Sequence, residues 1–186
     1  LGFGPRPGDV ERVRAMGLTA YIDQQLHPER IPDSGLDARL ASFTTLTMPT
    51  RALATNYFIP AQQARRDADL KQQRATAKAA QAGSAGSDDA MMAPESAAAA
   101  PTSPQALLAS LPPEARDAIA GQRAVMNELM QAKMLRAALS ERQLQEVMAD
   151  FWLNHFNVFI GKGEVRQYLT EYERNVIRPN TLGRFR

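Results

Sequence analysis

One stretch, Ser140 to Phe159 (SERQLQEVMADFWLNHFNVF), limits what this chain can fold into more than any other. It holds the only tryptophan, one of two histidines and the densest apolar run in the 186 residues. Ser140 and Gln143 stand at capping-box spacing, so a helix is expected to start there. At about 100° per residue, Leu144, Val147, Met148, Phe151, Trp152, Val158 and Phe159 project onto one broad arc, with His155 near its middle. Gln143, Asp150, Asn154 and Asn157 form a separate polar stripe, and only Leu153 breaks the division. The projection predicts a core helix with one packed face and one hydrogen-bonded face.

On that arc His155 is expected to be buried, which favours the neutral ring, one nitrogen donating and the other accepting. Two readings follow. In one, His155 is a core residue fixed by a carbonyl or carboxylate elsewhere in the fold. In the other it is a ligand or general base at the floor of a pocket, with Asn154 and Asp150 as further catalytic candidates and Trp152 beside it. Asp150 is five residues away, roughly on the other side of the helix. No metal is expected, because only His27 could join as a second imidazole and no H-x₃-H or E-x-x-H spacing occurs. No cofactor is expected either: there is no Gly-x-Ser-x-Gly elbow and no Walker loop. A glycine C-cap and turn explain Gly161-Lys162-Gly163 better than a phosphate loop does.

Downstream, Val165, Tyr168, Leu169, Tyr172 and Val176 form an amphipathic stripe that predicts a helix ended by Pro179. Its other face carries Arg166, Glu171, Glu173, Arg174 and Arg178. Exposed ion pairs are the default there, and an anion-binding strip of Lys162, Arg166, Arg174 and Arg178 is the alternative. Trp152 and Asn157 complete the candidate binding residues. Asn180 or Thr181 then starts another helix that the sequence cuts off after Phe185, so the chain reads as a piece of a longer protein.

Upstream, Pro7 and Gly17 bracket a short helix to Met16, and Thr19 is placed to cap a second that stops near His27, before Pro28. Leu36, Leu40 and Phe43 repeat at helical spacing. Thr50 is a plausible N-cap for a helix bearing Leu53, Tyr57 and Phe58, which Pro60 should kink or end. Residues 61–82 keep helix-forming composition with almost no apolar stripe, an exposed arm. Residues 83–104 are rich in Gly, Ser, Ala and Pro and are expected to be disordered. Order returns at Pro112-Pro113, a good helix start. There Ile119, Met126, Met130 and Met134 lie along one side, a methionine ladder expected to be core.

Composition closes off several classes. Without cysteine there are no disulfides, zinc–thiolate sites or thiol catalysis. No run approaches the ~18 apolar residues of a membrane span. Acids and bases are intermixed at a net charge of +2, so the pI of 9.2 comes without the clustered basic face that nucleic acid requires, and no nucleic-acid partner is expected.

The run LSERQLQEVMADFWLNHFNVF, then GKG, then YLTEYERNVIRPNTLGRFR, resembles the bacterial domain-of-unknown-function family numbered eighteen hundred. The opening FGPRPGDVERVRAMGLTAYIDQQLHPERIPD resembles that family's N-terminal part. Together the two blocks cover about Leu1–Phe43 and Leu135–Arg186. The family's aromatic and asparagine-histidine positions fall on Phe151, Trp152, Asn154, His155 and Phe156. Its arginine-proline and leucine-glycine positions fall on Arg178, Pro179, Leu182 and Gly183. The resemblance implies a longer, mostly helical, often exported protein, periplasmic or secreted, frequently encoded beside an exported sulfatase-like protein that is its candidate partner. It brings no catalytic residues.

The expectation is an all-α, irregular helical bundle forming one incomplete domain. It has small helices over 1–60, an exposed arm and disordered insertion over 61–104, and core helices over 105–186. Its expected function is to bind a partner protein or surface polymer. The alternative is a hydrolase-type enzyme with a pocket around His155.

Overall fold

The structure, a computed structural model, describes residues 2–84, 108–156, 161 and 163–183. Among these there are helices and no strand, so the fold is all-α as expected. The segment expected to be a disordered insertion lies almost entirely outside the described residues, as do Asn157, Lys162 and residues 184–186; Asn180 and Thr181, expected to start a final helix, instead stand at a helix end and in the turn after it. The chain divides into two compact units, Leu1–Ala54 with Ala124–Arg186, and Thr55–Arg123.

In the first unit, α1 (Asp9–Met16) and α2 (Leu18–Leu26) meet at Gly17, whose φ of 90° only glycine adopts at low cost. Gly17, not Thr19, stands at the α2 N-cap, and Pro28 stops that helix by opening a 3₁₀ turn, Pro28–Arg30. Then come α3 (Ser34–Leu40), a 3₁₀ turn at Thr44–Thr47 and α4 (Thr50–Leu53). α4 takes its cap from elsewhere in the unit: the Thr50 backbone N–H donates to Glu171 Oε2 at 2.6 Å. Hydrogen bonds from the Thr50 side chain and backbone hold the Glu171 carboxyl below its ordinary pKa. Glu128 secures the preceding turn, accepting from the Thr45 backbone N–H at 2.9 Å and from its hydroxyl at 2.6 Å. Leu46, Leu129, Ala132 and Leu169 form an apolar cluster, with Leu40 and Phe43 against it.

Pro113 opens α6 (Pro113–Leu139), the start that its sequence signals. Its buried line is Ile119, Gln122, Val125, Leu129 and Ala132. The ladder is therefore core only in part: Ile119 is buried and Met126 half-buried, but Met130 is 50% and Met134 66% exposed. Alanine at 132 and glutamine at 122 take positions inside that a hydrophobicity ranking gives to methionine.

The junction of α6 with α7 (Gln143–His155) is fastened by remote side chains instead of a capping box. The Ser140 hydroxyl donates to Asp33 Oδ2 at 2.5 Å and accepts from the Arg142 N–H at 3.0 Å. Gln143 points its amide N–H at the Ser140 and Ala137 carbonyls, and its Oε1 accepts from the Phe3 N–H. Buried Gln25 donates to the Glu141 carbonyl at 2.9 Å and accepts from the Leu144 N–H at 3.1 Å, so it supplies the helix cap.

Pro60 does not end its helix, whereas the helix that carries Pro179 stops at Asn180, one residue beyond the proline expected to end it. Pro60 lies inside α5 (Ile59–Ser84) and Pro179 inside α9 (Arg178–Asn180). Each follows a π turn, Ala54–Phe58 before Pro60 and Glu173–Ile177 before Pro179. A proline lacks the N–H for the carbonyl four residues back and its ring crowds that carbonyl. Here those carbonyls belong to Asn56 and Asn175, both inside the widened turns. The second π turn also follows α8 (Arg166–Tyr172) and inserts a phase shift. The buried line runs Leu169, Glu173, Ile177, so the expected stripe is only partly inward: Val165, Tyr168 and Val176 are exposed.

In the second unit, α5 and the first turns of α6 flank an open groove of about 800 Å³. Arg65 Nη2 donates to Gln122 Oε1 at 2.6 Å across the pair. The α5 side chains from Lys71 to Lys78 are exposed.

Two tests follow from these fastenings. Ser140→Ala removes the donor to Oδ2 of the buried Asp33 carboxylate and is expected to cost about 1–3 kcal/mol, read by urea unfolding through Trp152 fluorescence. For Glu171 the folded-state pKa lies below the ordinary value of 4.5. Its stabilisation is therefore present above that value and lost as pH falls through the folded one. The stability gap between wild type and Glu171→Gln should narrow on acidification below 4.5; a gap independent of pH would show that the cap does not titrate this way.

Candidate functional site

α7 turns Gln143, Glu146, Ala149 and Leu153 inward. This is the face that the helical projection marks as polar, with Leu153 as the exception. The inversion has a chemical cause. Glu146 is received by Arg178, whose Nη1 donates to Glu146 Oε2 at 3.0 Å while Nη2 pairs with Oε1. Arg178 Nη1 also reaches Glu173 Oε1 at 3.4 Å, and Arg136 Nη1 reaches the same oxygen at 3.3 Å. Glu146 and Glu173 are 6% and 7% exposed, so both charges are removed from water but paired. Ala149, Leu153 and Ile177, with Trp152 and Tyr172, cover the cluster's apolar side.

The two guanidiniums differ. Burial pushes the Arg136 pKa below its ordinary value, neighbouring Arg178 pushes it the same way, and Glu173, Glu146 and Asp37 only partly oppose them. Burial works against the Arg178 cation too, but hydrogen bonds and charge from Glu146 and Glu173 outweigh it and hold its pKa above the ordinary value. Arg178 is therefore the hub. Beside it lies a void of about 10 Å³ bordered by Phe3, Lys133, Asp150 and Leu153, room for about one water. Both oxygens of Glu146, and Oε1 of Glu173, accept from guanidiniums, a structural role. Among the described residues no group of three or more metal-type side chains converges.

The sequence-predicted residues scatter around this cluster. Asp150 pairs with Lys133 and accepts from Asn154 Nδ2 at 3.3 Å, so both are engaged along one helix side. His155 is exposed, which corrects the expectation of burial. The π-stack of aromatic rings, not a carboxylate, surrounds it: Phe151 stacks on it at 5.6 Å, and Trp152 and Phe156 meet it edge-on at 5.5 and 5.3 Å. Trp152 also stacks with Phe156 at 5.6 Å, and its indole N–H donates to the Thr181 carbonyl at 3.0 Å.

Nor do the basic residues form one anion-binding strip. Arg174 Nη1 donates to the Leu46 carbonyl at 2.5 Å and the Met48 carbonyl at 3.4 Å, which holds the turn before α4. Arg178 points into the charge cluster, not to solvent, and Arg166 has its own contacts. Sequence reading missed Arg136, Glu146, Gln25 and Asp33. The one local signal was Glu146 sharing a helix face with Gln143 and small Ala149; the partners that explain it are more than thirty residues away.

An all-helical unit organised by a buried ion cluster at Arg178-Pro179, beside an aromatic helix end, is the class of protein this geometry defines. The family whose model matches the chain, over residues 1–186, is DUF1800, described as a protein of unknown function. The chain belongs to that family, and the match includes the alanine-rich middle that the motif resemblance left uncovered. No curated protein and no solved structure matches it.

Arg178→Met would leave Glu146 without its counter-charge and Glu173 with Arg136 alone, at an expected cost of about 3–5 kcal/mol. The double variant Arg178→Met/Glu146→Leu is expected to lose much less than the sum of the two single variants, as measured by urea unfolding. Additive losses would show that the pair is not coupled.

Proposed function

We infer that this chain is an exported, non-enzymatic helical module that binds a partner protein through the aromatic end of α7. The observation that carries the reading is the ring cluster of Phe151, Trp152, His155 and Phe156, with Phe151 50% and Phe156 46% exposed. Exposed, mutually packed aromatic rings are costly to leave in water and are the side chains most often found at protein-binding hot spots. Their contacts to one another fix them in place, so little side-chain entropy remains to be lost on binding.

The partner that the family resemblance implies is the exported sulfatase-like protein encoded nearby, and export places both outside the cytoplasm. No described helix is long and apolar enough to cross a membrane. The hydrolase alternative needs His155 oriented by a third group. The rings around it are carbon faces and edges, so they support recognition better than proton transfer.

The test is size-exclusion chromatography of the chain mixed with the sulfatase-like protein. Co-elution is expected for wild type and lost in Phe151→Asp/Phe156→Asp. Both positions are half exposed, so this variant should keep its helical circular dichroism. Separate elution of the wild-type pair sinks this partner, and co-elution that survives the double substitution sinks the site.

A further inference from the structure

A second concave surface lies in the same unit, away from the aromatic rings. It is a groove of about 470 Å³ bordered by Leu26, Pro28, Glu29, Arg142, Pro179 and Leu182. Arg142 is fixed at its base. Its Nε donates to the Ile31 carbonyl at 2.9 Å, and its backbone N–H donates to the Ser140 hydroxyl at 3.0 Å. Among the described residues its Nη1 and Nη2 make no hydrogen bond or ion pair. Arg178 also borders the groove, but both of its terminal nitrogens are engaged by Glu146 and Glu173. Arg142 is therefore the cation available to a ligand.

A guanidinium held through Nε presents its two terminal nitrogens as a planar fork, the geometry that a carboxylate accepts with both oxygens. Gln145, also on the rim, donates its amide N–H to the Arg178 carbonyl at 3.3 Å, and among the described residues its Oε1 has no hydrogen-bond partner. The nearby acid, Glu29, lies 3.7 Å from Arg30 Nε, which partly answers its charge. The remaining walls are hydrocarbon: Leu26, half exposed, with Pro28, Pro179 and Leu182. The groove is thus mixed in character, with polar side chains, Arg142 among them, beside a hydrocarbon patch, which suits a ligand with one charged end and one apolar end.

We propose that this groove binds a small organic acid, its carboxylate on the Arg142 fork and a short aliphatic body against Leu26, Pro179 and Leu182. The site carries a built-in reporter. The indole N–H of Trp152, the only tryptophan, donates to the carbonyl of Thr181, which lines the groove. A ligand that shifts that wall changes the emission of a single fluorophore.

The experiment titrates the full chain with hexanoate and follows Trp152 emission and calorimetric heat, with acetate and 1-hexanol as separate arms. Saturable hexanoate binding is expected in the millimolar range, with acetate and hexanol at least about tenfold weaker, because each lacks one half of the recognition. Arg142→Gln should weaken hexanoate roughly tenfold to hundredfold. Arg142 also supports the Ile31 carbonyl, so Leu26→Glu provides an independent variant at a half-exposed position. It sets a like charge against the ligand and should abolish binding with circular dichroism unchanged. Absence of any saturable signal, equal binding of acetate, or hexanoate binding indifferent to both substitutions would overturn the proposal.

Discussion

The Arg178–Glu146 pair is the interaction on which the first unit depends. It is the reason that α7 can present a glutamate to the interior, and so the reason that its aromatic side faces outward. Turning the helix over would bury Phe151 but take Glu146 away from the buried Arg178 guanidinium. Apolar burial of one large side chain is worth about 1.5–3 kcal/mol. An uncompensated buried charge costs more than that. The ion pair therefore fixes helix rotation, and hydrophobicity accepts the result.

The same logic explains the loop fastenings. Asp33, Gln25 and Glu171 each reach a helix terminus or junction whose free N–H groups local sequence leaves unsatisfied. These are contacts across roughly a hundred residues. They tie the small N-terminal helices to the α7 and α8 region by polar bonds more than by apolar bulk. That suits a chain whose alanine-heavy composition supplies few large core residues.

Much of the helical framework was legible in the sequence. Glycine at 17, proline at 28 and the Pro112-Pro113 pair mark boundaries because their chemistry acts locally. Which side of each helix faces in was less legible. The projection of α7 put His155 and Phe151 on the packed face, and the methionine ladder of α6 was read as core. Both errors share one cause: the preference of a face depends on partners that a local window does not contain. The proline at 60 failed as a stop signal for a related reason, since the relief comes from a turn geometry upstream that no residue type announces, while the helix carrying Pro179 does stop one residue after it. Of the candidate site, the aromatic members of the α7 end were visible as rare residues gathered together. The Arg142 fork was not, because an unremarkable helix-start arginine becomes a candidate only when Ile31 and Pro179 are brought to it.

The π turn at Glu173–Ile177 has a consequence for how the unit is partitioned. Leu169, before it, packs in the cluster with Leu46 and Leu129; Ile177, after it, packs with Ala149 and Leu153. The widened turn is thus a coupling joint between two cores that share one helical rod. In an uninterrupted α-helix, rotating the rod to improve one core would misalign the other. The extra residue uncouples the two rotations, so each core sets its own angle and substitutions in one need not be answered in the other.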